Sequence, residues 1–241
     1  VATGLERLEA EPVLTTLHQL RERIGARFPE RGLYAVSGDL LVLAGHVATS
    51  SARQRDRLRV VRLGSRAVIV LVVAITGLLL VFAVRAAVVD GGPAHDIEWL
   101  SLLESGINDV VFAAIGIWFL YTVPERLRRS DSLALLHELR SLAHVIDMHQ
   151  LNKDPERLRS SFKPTAVSPT IGLSFEELEH YLDYCSELLS MVGKTAALCA
   201  EESRDAVVLD TVSTIETLTT GMSREIWQKI TVLNEVRRSG A

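Results

Sequence analysis

Apolar residues follow three different patterns along this chain, and each predicts a different kind of helix. The first is an unbroken run. Residues 67–84 carry no charge and a single polar side chain, Thr76, and the apolar character resumes after Arg85 as far as Val89. As a helix, residues 67–89 would span roughly 34 Å, enough to cross the hydrocarbon core of a bilayer. A water-soluble helix of that length carries a polar stripe, which this run lacks. It is predicted to be transmembrane.

The second pattern is shorter. Residues 110–123 are almost wholly apolar but would reach only roughly 21 Å. Extension back to Ile97 restores the length and takes in Glu104, Asn108 and Asp109. Two geometries follow. Either one tilted helix runs over 97–123 with acids in its outer third, or an interfacial helix stops at Gly106 and Asn108 or Asp109 caps a short second span. Trp99, Trp118 and Tyr121 stand where interfacial aromatic belts form.

The third pattern is periodic. Val13, Leu17, Leu20, Ile24 and Phe28 recur at helical spacing after Pro12, a good first-turn residue, until the segment FPERG breaks the chain. Leu33, Val36, Leu40, Leu43 and Val47 then form a 3/4 seam, on a helix that is expected to run on into the first span. Beyond the second span, with Pro124 placed to kink its exit, come Leu136, Leu139, Ala143 and Ile146. Residues 152–172, with three prolines and several serines, read as a linker. Ser174 and Glu177 make a capping-box pattern ahead of Phe175, Leu178, Leu182, Cys185, Leu189, Val192, Ala196 and Cys199, a coiled-coil-like seam. A last helix carries Val208, Val212, Ile215, Met222, Ile226, Ile230 and Leu233, with Ser223 placed to cap a restart after Gly221. These two helices predict an antiparallel hairpin roughly 40 Å long. Trp227 is expected to be a core or interface anchor.

Charge orients the two spans. Arg53, Arg55, Arg57, Arg59, Arg62 and Arg66 precede the first, and Arg126, Arg128 and Arg129 follow the second. Residues 90–109 between them hold acids but no Lys or Arg. The positive-inside rule therefore places both termini in the cytoplasm and the acidic loop outside. Residues 1–25 show no apolar h-region, so the first span is expected to act as the insertion signal. The six arginines would also suit anionic lipid heads, although a topology signal already explains them. The excess of Arg over the four lysines, with abundant Ala, Val and Leu, points to a GC-rich bacterial genome and hence an inner membrane.

Composition narrows the chemistry. A net charge of −4 argues against a nucleic-acid binder, and two cysteines argue against a disulfide-stapled fold or a multi-cysteine zinc site. Both cysteines lie on an apolar seam in a reducing compartment, as buried free thiols would. No GxSxG, P-loop or GxGxxG motif is present. The densest polar cluster is a stripe of His137, Arg140, His144 and Asp147 on one helix face. His144 and Asp147 have the spacing of a metal pair, but Arg140 inside the stripe would repel a cation, so the stripe reads foremost as a hydrogen-bonded seam or interface. A pH-responsive contact is the remaining use of such histidines. A second cluster, Arg85 with Glu104, Asn108 and Asp109, is either intramembrane, lining a pore mouth, or solvated at the headgroups. Ser105, Asp109, Ala113 and Gly116 share a face that would allow close helix packing, near Gly77 or against another chain.

The expected architecture is thus an all-α membrane protein: two transmembrane helices with a cytoplasmic bundle of long antiparallel hairpins. Residues 1–66 form an N-terminal helical hairpin, 67–123 the membrane hairpin with its loop near 90–109, and 124–241 a C-terminal helical region. The expected function is a non-enzymatic, self-associating scaffold or signalling component with no cofactor. Its partners are the lipid bilayer, further copies of itself and a protein the sequence does not identify. An oligomeric ion channel or transporter with an acidic outer mouth is the first alternative, and a membrane-anchored metal-dependent enzyme the second.

Overall fold

A computed structural model describes residues 8–89, 96–159, 161–168, 171–201 and 203–239. These residues form five α-helices and one 3₁₀ turn, with no strand among them. The helices are α1 (Ala10–Arg27), α2 (Gly32–Val89), α3 (Asp96–Leu151), α4 (Phe175–Ala200) and α5 (Ala206–Ser239), and Pro155–Leu158 is the 3₁₀ turn. The chain divides into two compact units, one of residues 1–51 and 131–241, the other of residues 52–130. The N- and C-terminal helical regions, separate in sequence, therefore belong to one unit.

That larger unit is a helical bundle built around α4. Thirteen of the helix's 26 residues are buried, well beyond its aliphatic seam, because Tyr181, Tyr184, Gly193 and Thr195 are buried too. The capping box forms as the sequence requires: Ser174 Oγ accepts from the Glu177 amide at 3.2 Å, and the Ser174 amide donates to Glu177 at 2.8 Å. These bonds to Ser174 hold the Glu177 carboxyl below its ordinary range. Helix α5 buries Val208, Val212, Ile215, Met222, Ile226, Ile230 and Leu233, with Thr219 filling the gap between Ile215 and Met222. It runs unbroken through Gly221, so Ser223 caps nothing there. Asp205 starts it by accepting from the amides of Val207 and Val208. The α4–α5 pair is antiparallel, since Arg237 near the end of α5 bonds Glu179 near the start of α4 at 3.2 Å.

Helix α1 buries Val13, Leu17, Leu20 and Ile24. Phe28 ends it and packs edge-on against Tyr181 and Tyr184, with ring centroids 5.4 and 6.2 Å away. Arg23 pairs with Glu187 at 2.5 Å while lying over the Tyr184 ring. Both members are substantially exposed, so the pair contributes at most about 1 kcal/mol and the aromatic contact carries the docking. In α2 the buried positions are Leu33, Val36, Ser37, Leu40, Ala44 and Val47. Ala44 replaces Leu43 at the centre of the seam because a straight helix repeats every 3.6 residues and drifts off a strict heptad. The 152–172 linker is anchored: Asp154 caps the 3₁₀ turn, Pro155 and Ile171 are buried, and Arg31 donates to the Gly172 carbonyl at 2.8 Å. Gly172 has φ 55°, a conformation few side chains tolerate.

Two helical stretches are long and apolar enough to cross a membrane, Gly32–Thr49 and one within Gly106–Leu158, and Leu63–Leu78 is a shorter apolar helix. Gly32–Thr49 is better understood as a core helix, since its apolar seam is buried in the bundle. The unit of residues 52–130 is different in kind. Val70 is 67 % exposed, Phe112 72 % and Tyr121 76 %. Helix α3 begins at Asp96 and passes through Gly106 and Pro124 as helix. Of the two geometries open for its first part, the continuous helix is the one observed, and only 90–95 separates it from α2. That short segment lies outside the described residues.

Candidate functional site

The polar groups that converge in the bundle do so where α3 ends. Gln150 follows Leu136, Leu139, Ala143 and Ile146 at seam spacing and is fully buried. A buried amide costs free energy unless its donor and acceptor are both used. Its Nε2 donates to Asp147 Oδ1 at 2.6 Å, and its Oε1 accepts from Lys229 Nζ of α5. Lys229 also donates to the Gln150 backbone carbonyl at 3.1 Å, so its ammonium caps the C-terminus of α3. The amide thus links an acid and a base. Burial lowers the Lys229 pKa, while Asp154 and Asp147 oppose that shift.

Beside this relay, Tyr181 of α4 reaches His149 Nδ1 at 3.4 Å, and Lys153 lies 5.7 Å over the Tyr181 ring. Burial, and then the charge of Lys153, lower the His149 pKa. Burial and then Arg31 lower that of Lys153. Burial raises Tyr181 above its ordinary range and pushes the Cys185 thiol up to about 12. Cys199 rises to about 11 for the same reason. Both thiols stay protonated near neutral pH and are poor nucleophiles. The assembly is suited to tying the end of α3 to α4 and α5.

The sequence stripe is only partly drawn in. His137, Arg140 and His144 are exposed, and Asp147 is half-buried in the Gln150 relay. Among the described residues no three His, Cys, Asp or Glu side chains come together to hold a metal ion. Arg85, Glu104, Asn108 and Asp109 are all exposed. Of the arginines before the first apolar stretch, Arg66 is exposed, and the side chains of Arg53, Arg55, Arg57, Arg59 and Arg62 lie outside those described. Among the described residues, a Cβ at Gly77 or Gly116 would meet nothing within 4 Å, so none of those residues brings a second helix close to either glycine. Sequence reading missed Gln150, Lys229, Tyr181 and Lys153. A polar residue continuing an apolar seam, as Gln150 does, was the available signal.

One further concavity lies on the outer face of the α4–α5 hairpin, a groove of about 520 Å³. Ser186, Ser190 and Lys194 form one wall, and Glu216, Ser223 and Trp227 the other. Lys194 donates to Ser190 Oγ at 2.6 Å. Comparison with protein-family models, with curated proteins and with solved structures found no match to this chain.

Proposed function

We propose that this chain is a non-enzymatic, multi-pass integral membrane protein of a bacterial inner membrane. It self-associates there and acts as a scaffold or signalling component. The observation that carries the reading is the contrast between the two units. In the bundle, most large apolar side chains are buried; along residues 63–84 of α2 and 106–121 of α3 most of the described ones are exposed. Leaving such residues in water costs more than about 1 kcal/mol each, and so many would outweigh the roughly 5–15 kcal/mol by which a domain is stable. A lipid environment removes the cost. Thr122 is compatible with lipid, since its hydroxyl donates to the Phe119 carbonyl of its own helix at 2.9 Å. The arginines on either side of the pair in the sequence support a cytoplasmic position for the bundle and both termini.

A second reading, an oligomeric channel or transporter, is favoured by one observation. Glu104 and Asn108 are exposed one turn apart on an unbroken helix, where a ring of copies would present them together. A metal-dependent enzyme built on His137, His144 and Asp147 gains no such support. The test is ion flux through proteoliposomes, with the mass of the same preparation measured in detergent. The expected result is a dimer or larger assembly without flux. Flux that falls in Glu104→Gln and Asp109→Asn would replace the scaffold with the channel. A strictly monomeric protein at micromolar concentration would remove self-association.

A further inference from the structure

The groove on the α4–α5 hairpin has the features of half an interface. Its walls carry opposite charges, Lys194 on α4 and Glu216 on α5, and both side chains are exposed. Among the described residues, no ion pair joins Lys194 to a carboxylate or Glu216 to a cation. Trp227 closes one end and is 57 % exposed. An exposed tryptophan beside small residues is the kind of anchor around which interfaces form. The floor is low where Gly193 lies under Thr219, a Cβ at Gly193 being only 3.2 Å from the Thr219 hydroxyl.

That contact also fixes the register. With residues 193 and 219 level in an antiparallel pair, Lys194 is level with residue 218 and Glu216 with residue 196, about 3 Å apart along the groove. By the same count Trp227 is level with Ser186 to within one residue.

We propose that a second copy of this chain docks on the groove, with a two-fold axis running along it. The argument rests on the self-association read above and names its cytoplasmic contact. Rotation about such an axis lays the α4 wall of each copy over the α5 wall of the other at the same height. Lys194 then meets Glu216 of the second copy, and the reciprocal pair forms by symmetry. Trp227 falls against Ser186 and Ser190 of the second copy, whose small side chains leave room for the indole. The two hairpins become a four-helix bundle, with complementary charges at one end and the aromatic anchors at the other.

The experiment uses the full chain in detergent, with dissociation followed by sedimentation. Lys194→Glu and Glu216→Lys are each expected to weaken self-association at least about tenfold, since each places two like-charged pairs in the interface. Co-expressed with different tags, the two variants restore opposite charges at both contacts. Pairing between differently tagged chains should return to the wild-type level, which also shows that both variants fold. Trp227→Ala should weaken association without being rescued by either charge variant. If single reversals leave a wild-type dimer unchanged, or the mixed pair is not restored, the groove is not the interface, although self-association stands and the groove is open to another occupant. If the wild type is monomeric, this inference and the function above both fall.

Discussion

Gln150 is a neutral side chain placed between a carboxylate and an ammonium, and both of its polar atoms depend on those neighbours. Lys229→Met leaves the Gln150 Oε1 and the α3 C-terminal carbonyl without their donor. It is expected to lower stability by about 1–2 kcal/mol. Gln150→Leu removes an acceptor from a half-buried ammonium and one donor from Asp147, and should cost about 2 kcal/mol. The double variant should be about 1 kcal/mol more stable than additivity predicts, because the second change removes the group that the first left unsatisfied. Urea unfolding of the full chain in detergent, followed by circular dichroism, gives all three numbers. Strict additivity would mean that the bonds between the two residues contribute nothing. The sequence pointed to the neighbouring face instead. His137, Arg140 and His144 stand out in a string of letters because they are ionisable residues beside an apolar seam, yet they are exposed. Gln150 passed unnoticed although it occupies the next seam position after Ile146. Residue type attracts attention, but burial follows position.

Helices as units were more legible than their faces. The start of α4 was readable because capping chemistry is local: Ser174 and Glu177 are three residues apart, and nothing distant is needed to pair them. Ser174→Ala is expected to cost about 1 kcal/mol in the same unfolding measurement, with Ser174→Asp close to the wild type. An alanine variant as stable as the wild type would show that packing alone fixes this end. The apolar seams of α1 and α5 were legible for a related reason, since aliphatic residues at helical spacing have one buried face. Helix α4 exceeded its seam because a central helix is covered from several sides. Tyr181 and Tyr184 meet Phe28 from α1, a contact 150 or so residues away in sequence that no local pattern encodes. Glycines misled in the opposite direction. Gly106 and Gly221 suggested an end and a restart, and each lies within a continuous helix. Propensity penalties of about 1–3 kcal/mol are small beside the cooperative gain of a helix more than thirty residues long.

At the scale of the whole molecule, the proposed function assigns the two units to different solvents and, from the charges, assigns the bundle to the cytoplasmic side. Nine arginines flank the apolar stretches in sequence, at 53–66 and 126–129, while residues 90–109 have neither lysine nor arginine. Reversing the molecule would require translocating both arginine clusters against the bias that governs insertion. Single new cysteines test the consequence in intact cells with a membrane-impermeant maleimide. Ala94→Cys, in the short connection between α2 and α3, should be labelled directly. Val167→Cys, at a position 89 % exposed on the bundle, should be labelled only after the membrane is opened. Background from the native thiols is slow because burial holds Cys185 and Cys199 protonated. Labelling of Val167→Cys in intact cells with protection of Ala94→Cys would invert the topology. Labelling of neither before opening, together with recovery of the protein in the soluble fraction, would mean that the exposed apolar helices are covered by protein instead of lipid. The two positions must answer differently if the helices between them and the bundle cross the bilayer, because a hairpin of two spans returns the chain to the side from which it left.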